Sequence, residues 1–567
     1  MKNKMRFSLL LAGVVSCCNM AFAQTVDQGK KFLYYQRYKS ASDVFSKILA
    51  SNPNNIDAIY YQGQALLGLK DSVAAEDLYS KALQTNGNAP LLLVGMGNIE
   101  LRKGKTTDAR QRFETAISLT KGKDIGILNA VADANIDAKA GDATYAIEKL
   151  TQATQVKKFN DAETYVLMGD AYRKLIDGGN AVTAYNKALA IDPKLAEAKY
   201  KIGKIYETQN NKEFFLPAFE EAVTMDPNYA PALYELYFYW YNYDINKSKD
   251  YFNKYLAVSD PNPTNDYDKI SILYASKDYD GAISQSKSAI STLGDKADPR
   301  YYKLVAYSYD AKNDSTNALD YMKQYFQHQK EEGYVPKDYS FMATLLAKFP
   351  NNSQDANKYY LLAIDKDTAV ANKIQIAHDA GEAFRRSGDK STYAYWVGVS
   401  YSLDKNPNQN DLYAWGFAHY SAGNFKTADS IFCGIYESKY PTEFFGYYWC
   451  MKSKVAQDDS VGSQGIAVDA YIKLAQVCHG LDSTAKAAGT ADSVKYRKYE
   501  IDAYAQLAGY YNNIKKDKES AIMWLKKILE VDPANTDAQK FIEILSRPAR
   551  QPAARPAAGG AKRTGGK

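Results

Sequence analysis

Apolar residues in this chain recur three and four positions apart. Tyr165, Met168, Gly169 and Tyr172 fall at i, i+3, i+4 and i+7 and make one stripe of a helix. The turn signal Asp177-Gly178-Gly179 follows, and then a second stripe of Ala181, Tyr185 and Ala188. Pro193 comes next, where it stops helix propagation. The pattern predicts two short amphipathic helices folded as a hairpin. Small residues at 169 and 181 let the helices approach closely, and the aromatic at 185 fills the gap towards the next pair. One such hairpin cannot bury its stripes alone, so neighbours must stack.

The stripes repeat. Gly29, Gly63 and Gly97 are evenly spaced, with Ala41, Ala75 and Ala109 and with Phe45, Tyr79 and Phe113 at the same step. Pro193, Pro227 and Pro261 keep that step further on. A period of about 34 residues in one phase resembles the tetratricopeptide repeat, TPR. The resemblance implies an all-α solenoid of about fourteen stacked helix-turn-helix units wound into a right-handed superhelix, over roughly 90% of the chain. Units are clear over 24–261 apart from a weaker one ending in Ala146, Leu150 and Ala153, and the one containing Trp240 carries Tyr237 in place of the glycine. Over 262–367 only second-helix residues persist, as in Ala282/Ala289, Ala318/Tyr325 and Ala356/Ala363. The pattern restarts over 368–546 at Gly381 and Gly416, with polar inserts at 457–465 and 480–493. The last clear unit has Gly509, Ala521, Leu525 and Pro533, and Thr536 to Ser546 reads as a solvating cap helix. Ser259–Asp266 reads as a joint between two sub-arrays.

In the family the first helix of each pair lines a concave groove through its second, fifth, ninth and twelfth repeat positions. Carried over, the Gly169 unit places Glu163, Val166, Asp170 and Arg173 there, and the Gly203 unit Glu197, Tyr200, Lys204 and Glu207. The next places Pro231, Tyr234, Phe238 and Tyr241, and the Gly416 unit Asn410, Tyr413, Phe417 and Tyr420. The groove so drawn is charged, then aromatic. An aromatic groove suits a peptide or helix laid in it, or a sugar ring stacked on it. The competing reading is packing, since tyrosine is abundant throughout, at 48 of 567 residues.

The termini differ from the body. Lys2, Lys4 and Arg6, an apolar run from Phe7 to Ser16, and Ala21-Phe22-Ala23 read as an export signal at 1–23. Val14-Val15-Ser16-Cys17 offers a rival cleavage with a lipid on Cys17, which would anchor the chain to the outer membrane. The apolar run is too short to span a bilayer, and no later stretch is long enough. The tail, 547–567, is basic and lacks large apolar residues, so it is expected to be disordered. It either tethers the chain to an anionic envelope surface or only solubilises an end. The cations of the two ends exceed the formal net charge of +6, so the body is slightly acidic and nucleic acid is not an expected partner. The signal, the Tyr/Asn/Lys-rich composition and Ala23-Gln24 resemble exported TPR proteins of Bacteroidota, which implies the periplasm.

Chemistry-bearing motifs are nearly absent. Gly104-Lys105-Thr106 ends like a phosphate-binding loop, but Ile99 stands where its first glycine belongs. His328, His378, His419 and His479 are scattered, and Cys478-His479 alone make no metal site. Asp278-x-Asp280-Gly281 reads as a turn rather than a calcium loop. Cys433, Cys450 and Cys478 allow one bridge plus a free thiol, or none; apolar surroundings favour three small buried hydrophobes. No cofactor, metal or catalytic residue is expected. The reading is a non-catalytic scaffold holding peptide or helix segments of other envelope proteins. Its alternatives are a lipid-anchored accessory of an outer-membrane secretion or assembly machine, and a glycan-binding protein.

Overall fold

A computed structural model describes residues 25–490 and 492–547. The signal segment with Cys17, and the tail after Arg547, lie outside the described residues. Among the described residues every element is helical, and consecutive helices pack in antiparallel pairs. This is the all-α helical-hairpin solenoid that the period predicts.

The pair Ala162–Lys174 and Gly178–Ile191 shows how the sequence builds one unit. Asp161 caps the first helix through the Thr164 amide at 3.3 Å, and Asp177 caps the second through the Asn180 amide at 3.0 Å. Such a cap contributes about 1 kcal/mol. Between them Ile176 takes a left-handed φ of 62°, and the Asp177 amide donates to the Tyr172 carbonyl. The same left-handed turn residue recurs one repeat apart at Gln36, Lys70 and Gly104, and at Ile176 and Asn210.

Several hairpins close on a glycine facing an aromatic ring. Gly63 faces Tyr79, Gly97 faces Phe113, Gly169 faces Tyr185 and Gly203 faces Phe219. A Cβ at Gly203 would come within 2.6 Å of the Phe219 ring. Two of the tyrosines also satisfy their hydroxyls: Tyr79 donates to the Tyr60 carbonyl and Tyr185 to Asp170, at 2.8 and 2.7 Å. Where Tyr237 replaces the glycine, its ring packs on Phe252 at 4.6 Å.

The chain forms two compact units, Met1–Ser286 and Lys287–Lys567, divided within the helix Tyr279–Leu293. The segment 259–266, read from sequence as a joint, belongs to the first unit, and Ser40 and Arg37 hold its Asp260. The stretch with weak consensus folds into regular pairs, among them Arg300–Ala311 with Ser315–His328 and Pro336–Ala347 with Ser353–Lys366. Fully buried Ser308 and Ala343 stand there as small residues.

The second unit corrects two sequence expectations. Residues 480–487 are not a polar insert: the helix Val468–Ala487 runs through them and pairs with Asp492–Asn513. Asp482 and Ala485 are buried along it, which continues the stripe of Leu474, Ala475 and Cys478 past the polar residues. Cys433 and Cys450 are not separate packed hydrophobes but a disulfide, with Cα atoms 4.9 Å apart. Cys478 is free and buried, as that reading expects of it.

Candidate functional site

The first unit returns on itself. The turn of its first hairpin, Val26–Tyr34 with Tyr38–Ser51, reaches the pairs some 160 to 220 residues later. Tyr35 donates to Asp226 at 2.8 Å, Arg37 Nε donates to Asp260 at 3.2 Å, and the Ser40 amide donates to Asp260 at 3.0 Å. The Tyr34 hydroxyl accepts the Glu197 amide, and its ring lies 5.2 Å from that of buried Tyr229. Burial works to raise the Asp260 carboxyl, but hydrogen bonds from Ser40 and the charge of Arg37 outweigh it and hold it below the usual carboxylate range.

This closure forms a half-open cavity of about 600 Å³, within the range of about 300–1,000 Å³ of ligand sites. The first hairpin supplies Tyr35, Tyr38 and Lys39, and the turn of the second, Ile56–Gly68 with Ser72–Thr85, supplies Lys70; the later pairs supply Tyr200, Pro231, Tyr234, Glu235 and Tyr255. Three of the expected groove residues, Tyr200, Pro231 and Tyr234, line it, and a fourth, Lys204, pairs with the lining residue Glu235. Lys204 pairs with Glu235 at 2.8 Å and with Glu207, while Tyr200 donates to the same Glu235 oxygen at 3.3 Å. Tyr234 donates to Asp268 at 3.4 Å, and its ring lies 5.1 Å from Tyr255. The others stand apart. Arg173 is exposed, Phe238 is 61% exposed, and Tyr241 donates to the Ser271 carbonyl at 3.0 Å; none of the three lines the cavity.

Tyr38 joins the cavity to a charged inner wall. Its ring packs on Gly68, and burial, followed by the charges of Asp137 and Asp133, raises its hydroxyl pKa. On that wall Lys201 pairs with Asp170 and with Glu197, and Arg102 pairs with Asp137. Burial opposes the Lys201 charge, yet the two carboxylates outweigh it and raise its pKa. Half-buried Asp133 has no hydrogen-bond or ion-pair partner among the described residues. Burial, with the like charges of Asp137, Glu163 and Asp170, pushes its carboxyl up to about 7. Glu163 is raised too, by burial and then by Asp161.

In the second unit Tyr413, Phe417 and Tyr420 join an aromatic cluster spanning two successive hairpins. Tyr413 and Phe417 stack with rings 5.8 Å apart, and Trp449 meets Phe417 at 5.0 Å and Tyr420 at 4.9 Å. Phe417 and Phe445 remain 38% and 45% exposed, so this cluster both packs and presents a surface. Among the described residues no helix is long and apolar enough to cross a membrane.

The repeat pattern did not lead to Tyr38, Tyr255, Asp260 or Asp133. Asp133 carries the one signal that was available: it follows Ala132 as Asp170 follows Gly169, the groove position of a weaker unit.

Family models described as tetratricopeptide repeat match 26–90 and 196–229, and one described as TPR repeat matches 177–210. No curated protein matches the chain. Among solved structures, the C-terminal part of a TPR repeat-containing protein from Cytophaga hutchinsonii is 24% identical, over 49% of this chain and 99% of that one, with a TM-score of 0.25. Yeast Tom70 is 13% identical over 70% and 95%, with a TM-score of 0.34. YrrB, described as a TPR protein with an unusual peptide-binding site, is 21% identical over 34% and 97%, with a TM-score of 0.22. The matched segments fall on the paired helices described above, and the chain carries tetratricopeptide repeats in an all-α array of stacked hairpins.

Proposed function

We propose that the chain is a non-catalytic scaffold, exported to the periplasm, whose first unit holds an extended peptide segment of another envelope protein. The observation that carries this reading is the cavity in which Tyr200, Tyr234 and Glu235 converge with Tyr38. Tyrosine offers a partner large contact area at low entropy cost, and the Glu235–Lys204 pair offers polar anchoring beside it. Arg173, Phe238 and Tyr241, outside the cavity lining, would extend the contact beyond its mouth. Repeat arrays bind by accumulating such area over neighbouring units. On this reading the basic tail adds only a weak attraction to an anionic envelope surface, and no cofactor takes part.

The test is a cross-linking pull-down from the native envelope with the full-length chain, read by mass spectrometry. A stoichiometric protein partner is expected, lost in Y200A/Y234A and weakened in the rim variant K39E/K70E, with circular dichroism unchanged. A partner retained by both variants would move the contact elsewhere. The exposed aromatic cluster around Phe417 and Trp449 favours a second reading, glycan binding. That reading takes over if no protein is captured and cell-wall fragments quench tryptophan fluorescence.

A further inference from the structure

The second unit carries one group of soft and hard metal donors, independent of the groove. The carboxylate of Asp429 and the sulfurs of Cys433 and Cys450 lie within 4.8 Å of one another. Asp429 and Cys433 sit one turn apart on the helical segment 425–439, and Cys450 faces them from Phe444–Val455, in the next hairpin. The segment changes to π-helical geometry at Ser430–Tyr436, immediately after Asp429 and around Cys433. Such single-turn π stretches are frequent at functional sites.

We propose that these three residues form, once the disulfide is reduced, a binding site for a zinc-like divalent cation. The chemistry is balanced with a thiol or phosphine reductant: two electrons open the S–S bond to two thiols, and the incoming cation displaces their two protons. Tetrahedral zinc with Zn–S bonds of about 2.3 Å needs its two sulfurs only about 3.7 Å apart. Helices already close enough to be bridged reach that spacing with a small side-chain movement. Asp429 supplies the third ligand and water the fourth. Lys454 Nζ and Gln457 Nε2 donate to Asp429 at 3.1 and 3.2 Å. They hold its free oxygen in place, as outer-shell groups do around metal ligands. Cys450 is 2% exposed, while Asp429 and Cys433 are half-buried, so a cation enters from their side. Buried Cys478 is not a member of the group.

The consequence is a junction that can be closed in two ways. Oxidised, a covalent bond joins two successive hairpins; reduced, a metal joins the same two helices.

The experiment uses the chain without the export segment 1–23, so that Cys17 and Cys18 cannot bind the metal, reduced with a phosphine, freed of reductant under argon and titrated with Cd2+, whose thiolate complexes absorb in the ultraviolet. One equivalent is expected to give a saturable thiolate-to-cadmium band that Zn2+ competes away and that raises Tm. The oxidised chain, identical in sequence, shows no band. Cys450→Ser loses it, Asp429→Asn binds at least about tenfold more weakly, and Cys478→Ser is unchanged. The proposal is overturned by the absence of a saturable band, by a band that survives oxidation or Cys450→Ser, or by full affinity in Asp429→Asn.

Discussion

Ile176 shows how a single residue is held by its neighbours against its own preference. A β-branched residue in the left-handed region costs about 1–2 kcal/mol, and Ile176, 94% exposed, recovers almost nothing by packing. Ile176→Gly relieves the strain but frees the unfolded chain, so a net gain of about 0.5–1 kcal/mol is expected in urea denaturation. Asp133 is a second strained residue, by charge rather than by backbone. Its folded pKa of about 7 lies above the ordinary value of 3.8. Between those two values the folded chain keeps a proton that the unfolded chain releases, so stability falls as pH rises through the window. The loss from this group is at most on the order of 4 kcal/mol. Asp133→Asn should remove it: the variant matches wild type below pH ~4 and melts higher at pH ~8. A steeper pH dependence in the variant would show that the repulsion lies elsewhere.

The element most open to test is the first hairpin. Its attachment rests on Asp260, which accepts from Ser40 and Arg37, and on the Tyr35–Asp226 bond. Removing a partly buried carboxylate from its donors costs on the order of 1–3 kcal/mol. Asp260→Ala should therefore raise amide hydrogen exchange in residues 26–51 while leaving the helices between 90 and 154 unchanged. Equal protection in both proteins would mean that the tyrosine contacts hold the hairpin by themselves. Hairpin architecture was legible in the sequence because each unit writes it locally. Gly203 and Phe219 sit in contact because the period puts a small residue and an aromatic opposite each other. The attachment of Arg37 to Asp260 was not legible. It arises from the small rotation accumulated over several units, which no single repeat encodes. For the same reason Tyr200 and Tyr234 could be placed on a groove, but Tyr38 and Tyr255, which complete the cavity around them, could not. The end of the helix 468–487 was hidden differently: its polar residues masked the buried positions Asp482 and Ala485.

At the scale of the molecule, an open solenoid has only nearest-neighbour interfaces, and its stability is close to a sum over units. The first unit departs from this, because one contact links its beginning to positions near its end. Its hairpins should unfold with more cooperativity than those of an array without such a contact. The second unit carries a covalent link between adjacent hairpins instead. The half-open cavity also sets the order of events in capture. A segment can reach Tyr200 and Tyr234 with the first hairpin in place, so no opening step has to precede binding. Observed association rates should then rise linearly with ligand concentration without levelling off. With the hairpin loosened by Asp260→Ala, that slope would stay and release would quicken, because the hairpin side of the contact holds the ligand less firmly.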